Sequence, residues 1–276
     1  MTVIEAMALG FVQGVGEFLP ISSSGHLVLL QRAFGISEGA MAFDVAVHLG
    51  TLVALIVVMR KRLLMYIRNP LGRVPVLVVV GTIPTAAIAL ALKKTISGLF
   101  ESGASLGVGF LLTAAMLWFA EAWSKRMASA GAKGAGRRID EATAADAIMI
   151  GIAQGVATVP AVSRSGSAIS SGLVCGLDRE AAVEYAFWLS IPITLLAVAD
   201  DVLGIAMGGG GGGDVGAAPM VVGTLVAMAV GIPAARLMLR RIRRISLKWF
   251  AAYVGALGAL ALIDQLFIGA VLDKII

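Results

Sequence analysis

Six apolar segments, each about the length that crosses a bilayer, constrain this chain more than any other feature. They run over residues 41–59, 74–92, 106–123, 180–203, 217–235 and 249–270. A spanning helix needs roughly 20 apolar residues. Of the 276 residues, 59% are hydrophobic and only 14% charged. A soluble domain is nearer half apolar and a quarter charged, so the surplus has to face lipid. The spacing predicts an all-α polytopic membrane protein.

The formal charge of +5 would suggest nucleic acid as a partner in a soluble chain. Here the basic residues cluster in short linkers, so they read as topology signals and nucleic acid is excluded. Linker 60–73 holds Arg60, Lys61, Arg62, Arg68 and Arg73. Linker 124–141 holds Lys125, Arg126, Lys133, Arg137 and Arg138. Linker 236–248 holds Arg236, Arg240, Arg241, Arg243, Arg244 and Lys248. The segment 93–105 has only Lys93 and Lys94, and 204–216 has neither Lys nor Arg. The positive-inside rule puts the first three linkers in the cytoplasm and the last two outside. The single Cys175 excludes an internal disulfide and is expected to be a buried, inert thiol. The first residues carry Glu5 and no basic flank, unlike a cleavable signal peptide.

Two apolar segments, 2–34 and 142–178, are interrupted by short polar runs. The first reads Phe11-Val-Gln-Gly-Val-Gly-Glu-Phe-Leu-Pro-Ile-Ser-Ser-Ser-Gly-His26. The second reads Ile152-Ala-Gln-Gly-Val-Ala-Thr-Val-Pro-Ala-Val-Ser-Arg-Ser-Gly-Ser167. With residue 41 outside and residue 141 inside, neither segment needs to cross. Each is expected to be a re-entrant helical hairpin, the first dipping from outside and the second from inside.

The two segments align at an offset of 141 residues, Gln13 on Gln154, Ser22 on Ser163, Ser24 on Ser165 and Gly25 on Gly166. The same offset carries span 41–59 onto 182–200 and 74–92 onto 215–233. The repeats are 1–138 and 139–276, in one membrane domain. Each holds three spans, an odd number, so the second enters upside down. Inverted repeats with broken helices put a site near the bilayer midplane. Two further stretches read as connectors. The glycines 208–213 lack the strand and lysine of a P-loop and are expected to form a flexible external loop. Residues 127–138 are expected to link the halves.

Irregular backbone at membrane depth survives only when buried in protein or lining an aqueous cavity. The runs Ser22-Ser23-Ser24-Gly25-His26 and Ser163-Arg164-Ser165-Gly166-Ser167 are such backbone. Their hydroxyls and freed N–H groups are donors, and the helix after each turn would aim its positive end at an anion. Arg164 adds a planar fork of donors that matches phosphate oxygens. Ionisable groups within a membrane are costly and point to function, which singles out Glu17, His26 and Arg164. Together they make an acid/base set and an anion clamp. A carboxylate beside phosphate also suits Mg²⁺ or Ca²⁺.

Blander readings stand beside these. Glu17 and Arg164 could be an ion pair that merely joins the hairpins. Any single serine could bond back to its own helix. His48, one turn after Asp44, is read as a structural histidine. Asp200 and Asp201 are read as solvated, and Asp178 as a helix N-cap. Glu121, Asp146, Glu184 and Asp264 have no partner visible in the sequence.

The pattern Gln13-x-x-x-Glu17-Phe-Leu-Pro-x-Ser-Ser-Ser-Gly-His26 resembles the first signature of the bacitracin-resistance type undecaprenyl-diphosphate phosphatases. Pro160-x-x-Ser163-Arg164-Ser165-Gly166 looks like the second. Phe43-Asp44-x-x-x-His48-Leu-Gly-Thr51 and the block Leu177 to Pro192 are similar to its secondary blocks, so the resemblance covers essentially the whole chain. It implies an integral bacterial inner-membrane enzyme that removes the terminal phosphate of a C55 polyprenyl diphosphate, with a divalent cation, Mg²⁺ or Ca²⁺. The lipid carrier is thereby recycled for cell-wall synthesis. The expected partners are that lipid, the membrane and, in an oligomer, a second copy of the chain. The site would open to the extracytoplasmic side.

By the same resemblance Glu17 is the essential carboxylate, a metal ligand or base. Gln13 is its partner, Ser23 the nucleophile or hydroxyl donor and His26 the acid/base. Ser163, Arg164 and Ser165 form the diphosphate clamp. Ser22, Ser24, Gly25, Gln154, Gly166 and Ser167 complete the expected substrate-binding set. Two positions depart from the family. Pro160 is followed by Ala161 where glycine is usual, and Ala168 stands where threonine is usual, with Ser167 as a candidate substitute. The competing function is a polyprenyl-phosphate flippase, because broken-helix inverted repeats are also a transporter plan.

Overall fold

The computed structural model describes residues 1–36, 40–132, 134–207, 215–269 and 271–272. The described residues are almost entirely helical, with no strand among them. Ten α-helices follow in order: α1 Val3–Gly16, α2 Ser23–Ala33, α3 Ala40–Arg68, α4 Arg73–Ser102 and α5 Leu106–Ser129. After a 3₁₀ turn at Ile139–Glu141 come α6 Ala144–Val156, α7 Arg164–Val174, α8 Arg179–Ala206, α9 Ala217–Arg241 and α10 Leu247–Ile263. The glycines 208–213 lie outside the described residues.

Six helices are long and apolar enough to cross a membrane: Met41–Arg68, Arg73–Ile96, Leu106–Ser129, Arg179–Gly204, Ala217–Arg241 and Leu247–Ile268. They contain five of the six segments read from the sequence and run past them, while the sixth helix starts before segment 249–270 and ends at Ile268. The basic residues Arg60 to Arg68 and Arg236 to Arg241 are the last turns of α3 and α9, not loop. Cations at a helix C-terminus oppose its negative end, so the helix continues through them. By contrast α1, α2, α6 and α7 have 14, 11, 13 and 11 residues. At 1.5 Å per residue each is about 21 Å long or less, too short for a 30 Å core.

The same local chemistry starts both short pairs. Thr2 caps α1 in a capping box with Glu5, and Thr143 caps α6 with Asp146. Ser22 and Ser163 cap α2 and α7, each accepting the N–H of the glycine three residues on. These caps satisfy helix-end donors that lipid could not.

The short helices pack across the halves: α1 lies on α9, and α6 lies on α4. Glycines make both approaches possible. A Cβ on Gly10 would meet the Gly223 carbonyl, and one on Gly151 would meet the Gly81 carbonyl. Thr85 of α4 fastens the second contact, its hydroxyl 2.8 Å from the Gly151 carbonyl. Helix α5 pairs with α10, and α3 with both α8 and α9.

The acidic residues without a partner in the sequence acquire distant ones. Glu121, fully buried in α5, takes Arg179, Lys125, the Ser246 hydroxyl and the Leu247 N–H. Asp146 accepts two bonds from Arg137, at 2.8 and 3.0 Å. Glu184 pairs with Arg62, and Asp264 accepts the N–H groups of Val271 and Leu272. Asp200 is paired with Lys93 at 2.6 Å rather than simply solvated. Asp178 does cap α8, accepting from Ala181 N–H at 2.7 Å. Cys175 is a free thiol, partly exposed rather than fully buried.

Candidate active site

The two interrupted loops meet. Helix α1 ends at Gly16 with Glu17 as its C-cap, and the chain turns through Pro20 to Ser22, the N-cap of α2. Ser22 has φ +67°, a left-handed conformation that costs a non-glycine residue about 1 kcal/mol or more. Helix α7 begins at Arg164 after a second turn. Gly16, Glu17, Ser22, Ser23, Ser24, Val162, Ser163, Arg164 and Ser165 line one narrow, partly open cleft. The first residues of α2 and α7 both lie on its wall. Two positive helix ends, the serine hydroxyls nearest the turns and a guanidinium therefore surround one space, a setting for an anion.

Glu17 is the hub. Its Oε2 accepts from the Ser23 hydroxyl at 2.8 Å and from Gln13 Nε2 at 3.1 Å. Its Oε1 accepts from Arg164 at 3.3 Å. That bond joins residues 147 apart in the chain and ties one short pair to the other. Arg164 commits one N–H here and keeps others for a ligand in the cleft it lines. A purely structural ion pair would not need a cleft of serines around it.

The remaining expected residues divide. Gln13 stands behind Glu17, bonded to Thr51 at 3.4 Å, with its buried Oε1 lacking a hydrogen-bond partner. Gly25 is confined: a Cβ there would sit 2.6 Å from Phe110 and 2.8 Å from the Ala161 methyl. Gly166 donates its N–H to the Ser163 hydroxyl at 3.0 Å. Six expected residues do not line the cleft: Gln13, Gly25 and Gly166, and also Gln154, Ser167 and His26. Gln154 is buried in α6 with its Oε1 unpaired. Ser167 turns its hydroxyl to Met116 Sδ at 3.2 Å, so it does not stand in for the missing threonine hydroxyl in the cleft. His26 has both ring nitrogens engaged. Nδ1 lies 2.7 Å from the Ser22 carbonyl and must donate, so Nε2 accepts from the Tyr253 hydroxyl at 2.8 Å.

The other histidine is the one that faces Glu17. His48 Nε2 lies 3.8 Å from Glu17 Oε2, while Nδ1 donates to the Asp44 carbonyl at 2.7 Å. The sequence marks His48 only by its place in a block shared with the resembled family. Its nearness to Glu17 needs α3 packed against α1, which no local pattern encodes.

Ala161 explains how the second turn survives the loss of the usual glycine. Its φ is +64°, the conformation glycine would adopt at no steric cost. Its methyl is fully buried against Gly25 of α2 and Gly109 of α5. Ala161→Gly would relieve about 1 kcal/mol of backbone strain. It would also lose a buried methyl and raise unfolded-chain entropy, each worth nearly as much. Thermal unfolding in detergent is therefore expected within about 1 kcal/mol of the parent. A much larger shift in either direction would mean that residue 161 is not held left-handed.

A family model for bacitracin resistance protein BacA matches residues 6–260. The chain belongs to the BacA family. It is 42% identical over 265 residues to an undecaprenyl-diphosphatase of Carboxydothermus hydrogenoformans, covering 96% of this chain and 98% of that protein. It is 36% identical over 265 residues to undecaprenyl-diphosphatase 4 of Bacillus cereus, with the same coverage. A Methanosphaera stadtmanae undecaprenyl-diphosphatase is 35% identical over 285 residues, covering 95% and 98%. The BacA match takes in both loops, the whole cleft and all but the ends of the chain.

Proposed function

We propose that this chain hydrolyses undecaprenyl diphosphate to undecaprenyl phosphate and inorganic phosphate, as a multi-pass enzyme of the bacterial inner membrane. The observation that carries the reading is the Ser23–Glu17–Arg164 contact inside a cleft bounded by two helix N-termini. Its relatives are named for the same reaction. The resemblance to the family, not the charge of the linkers, supports a site that opens to the extracytoplasmic side.

In this reading the terminal phosphate lies in the cleft. Glu17 takes the Ser23 proton as Ser23 Oγ forms a bond to phosphorus. The bridging P–O bond breaks, and undecaprenyl phosphate leaves. Glu17 gives that proton up to the departing phosphate oxygen. Water then attacks the phosphoserine as Glu17 takes the water's proton. The Ser23 Oγ–P bond breaks, Ser23 Oγ regains the proton from Glu17, and inorganic phosphate is released. Arg164 and the N–H groups that open α2 and α7 carry the charge developing on the phosphoryl oxygens. His26 holds the Ser22 carbonyl and so the left-handed turn. The apolar tail lies along the spans.

The residues present fit a divalent cation held partly by substrate. Among the described residues no three acidic, histidine or cysteine side chains cluster for one. One carboxylate plus phosphate oxygens is, however, a common way to hold Mg²⁺. Glu17 would be the protein ligand, and Gln13, bonded to it through Nε2, keeps an unpaired Oε1. Arg164 and Glu17 cancel in charge, so a diphosphate would otherwise enter with its own charge unbalanced. When bound, the cation supplies that balance. A chelator is expected to cut phosphate release at least tenfold, with Mg²⁺ or Ca²⁺ restoring it.

The test is phosphate release from undecaprenyl diphosphate in detergent with Mg²⁺ or Ca²⁺, beside Glu17→Ala and Arg164→Ala. Release by the parent and loss in both variants is expected. No release from a folded parent would overturn the reading.

A further inference from the structure

Helix α5 belongs to neither short pair, yet it holds the turn that launches Arg164. Thr113, fully buried in α5, lies within hydrogen-bond reach of three backbone groups. Its Oγ1 accepts the Ser163 N–H at 3.0 Å. Its single proton is within reach of the Ala161 carbonyl and of the Gly109 carbonyl one turn back, both at 3.0 Å. Threonine has one O–H to donate and two lone pairs, and this arrangement uses both capacities. The hydroxyl thus spans the strained turn from Ala161 to Ser163, immediately ahead of Arg164.

Gly109 completes the seat. A Cβ there would collide with the Pro160 carbonyl and sit 3.0 Å from the Ala161 methyl. Helix α5 therefore offers the second turn a bare patch and, one turn on, a hydroxyl. Among the described residues the first turn has no hydroxyl bonded directly to its backbone from α10, which reaches it only through Tyr253 and the His26 that bonds the Ser22 carbonyl. At the 141-residue offset, Phe250 and Val254 of α10 stand where α5 has Gly109 and Thr113. Val254 is fully buried and has no hydroxyl. The repeat is broken where the cationic turn needs support, and only there does the turn carry a permanent charge.

We propose that Thr113 is a positioning residue for the phosphate clamp. It fixes where the Ser163–Arg164–Ser165 turn and the first N–H groups of α7 stand relative to Glu17. Its role rests on the phosphatase reading and acts through Ser163 and Arg164, not by contact with substrate. Removing the hydroxyl leaves a buried N–H and a buried carbonyl competing for other partners, and the turn relaxes away from the phosphate.

The experiment compares the parent, Thr113→Val, Thr113→Ser and Thr113→Ala in detergent. It reads kcat, KM for undecaprenyl diphosphate, the inhibition constant of inorganic phosphate, and thermal unfolding. Thr113→Val keeps the volume and is expected to lower kcat about thirtyfold and weaken phosphate inhibition severalfold. Thr113→Ser is expected to stay within about threefold of the parent on both. A merely structural role would reduce the amount of active enzyme while leaving the KM and the inhibition constant unchanged. If Thr113→Val does not fold, Thr113→Ala against Thr113→Ser makes the same comparison. Parental kcat and phosphate inhibition in Val or Ala, or equal loss in Ser, would overturn the proposal. A silent parent would overturn the phosphatase reading instead, and phosphate binding to the inactive parent against Thr113→Val would still report on the turn.

Discussion

Glu17→Gln is expected to lower kcat for phosphate release by about a thousandfold, with the protein still folded and still able to bind phosphate. Gln keeps the shape of the side chain and one oxygen for Arg164 or Ser23. It loses the negative charge and the ability to take a proton. Positioned general bases contribute about 10² to 10⁴ in rate, and Glu17 is also the carboxylate offered to a cation. Its Oε2 receives the Ser23 hydroxyl at 2.8 Å, so the loss falls on the proton that must leave for Ser23 to attack. Steady-state kinetics with a static light-scattering or gel-filtration control decide it. A loss of less than tenfold would remove Glu17 from the proton-transfer role.

Arg164→Lys is expected to cost about a hundredfold in kcat/KM, although it preserves the charge. A lysine is a point charge on a flexible stem and cannot present two parallel N–H groups to a phosphate while a third group reaches Glu17. Loss of one preorganised donor to a developing anion costs about 10² to 10³ in rate. The Arg164–Glu17 bond at 3.3 Å also joins the two short helix pairs, so the variant loses alignment as well as a clamp. Arg164→Ala is expected to lose more. Near-parental activity in Arg164→Lys would mean that charge alone is needed, and the planar fork would be irrelevant.

The six spans are legible in the sequence because lipid demands long apolar runs, and such runs are written locally. The serine runs are legible because a polar stretch inside an apolar segment is costly unless it lines a protein-enclosed or watery space. Glu17 and Arg164 stand out as charges inside apolar sequence, and the structure brings them within a hydrogen bond. Contact between distant helices is what local patterns do not carry. Nothing near His48 in the chain indicates that α3 sets it beside Glu17, so a structural role is the natural reading of its spacing from Asp44. The neighbours of Ser167 suggest a substrate contact. Its place one turn into α7 instead points it at Met116 of α5. Tyr253 lies 227 residues from His26 and occupies its Nε2, a pairing no spacing rule predicts. The partners of Glu121 come from three different helices or turns for the same reason.

The exchange of short helices between the halves has a consequence for biosynthesis. Helix α1 packs on α9, which begins at Ala217, while α6 packs on α4. During translation the first helix leaves the ribosome long before its resting place exists. The glycine face around Gly10 and Gly14 must wait, in the bilayer or against the insertion machinery, until α9 arrives. The later pair has no such delay, because α4 is already inserted when α6 emerges. A ribosome stalled short of α9 would therefore leave a half-built molecule whose Arg164 turn is seated and whose Glu17 turn is not. Membrane quality control would meet that species with the α9-facing side of α1 uncovered.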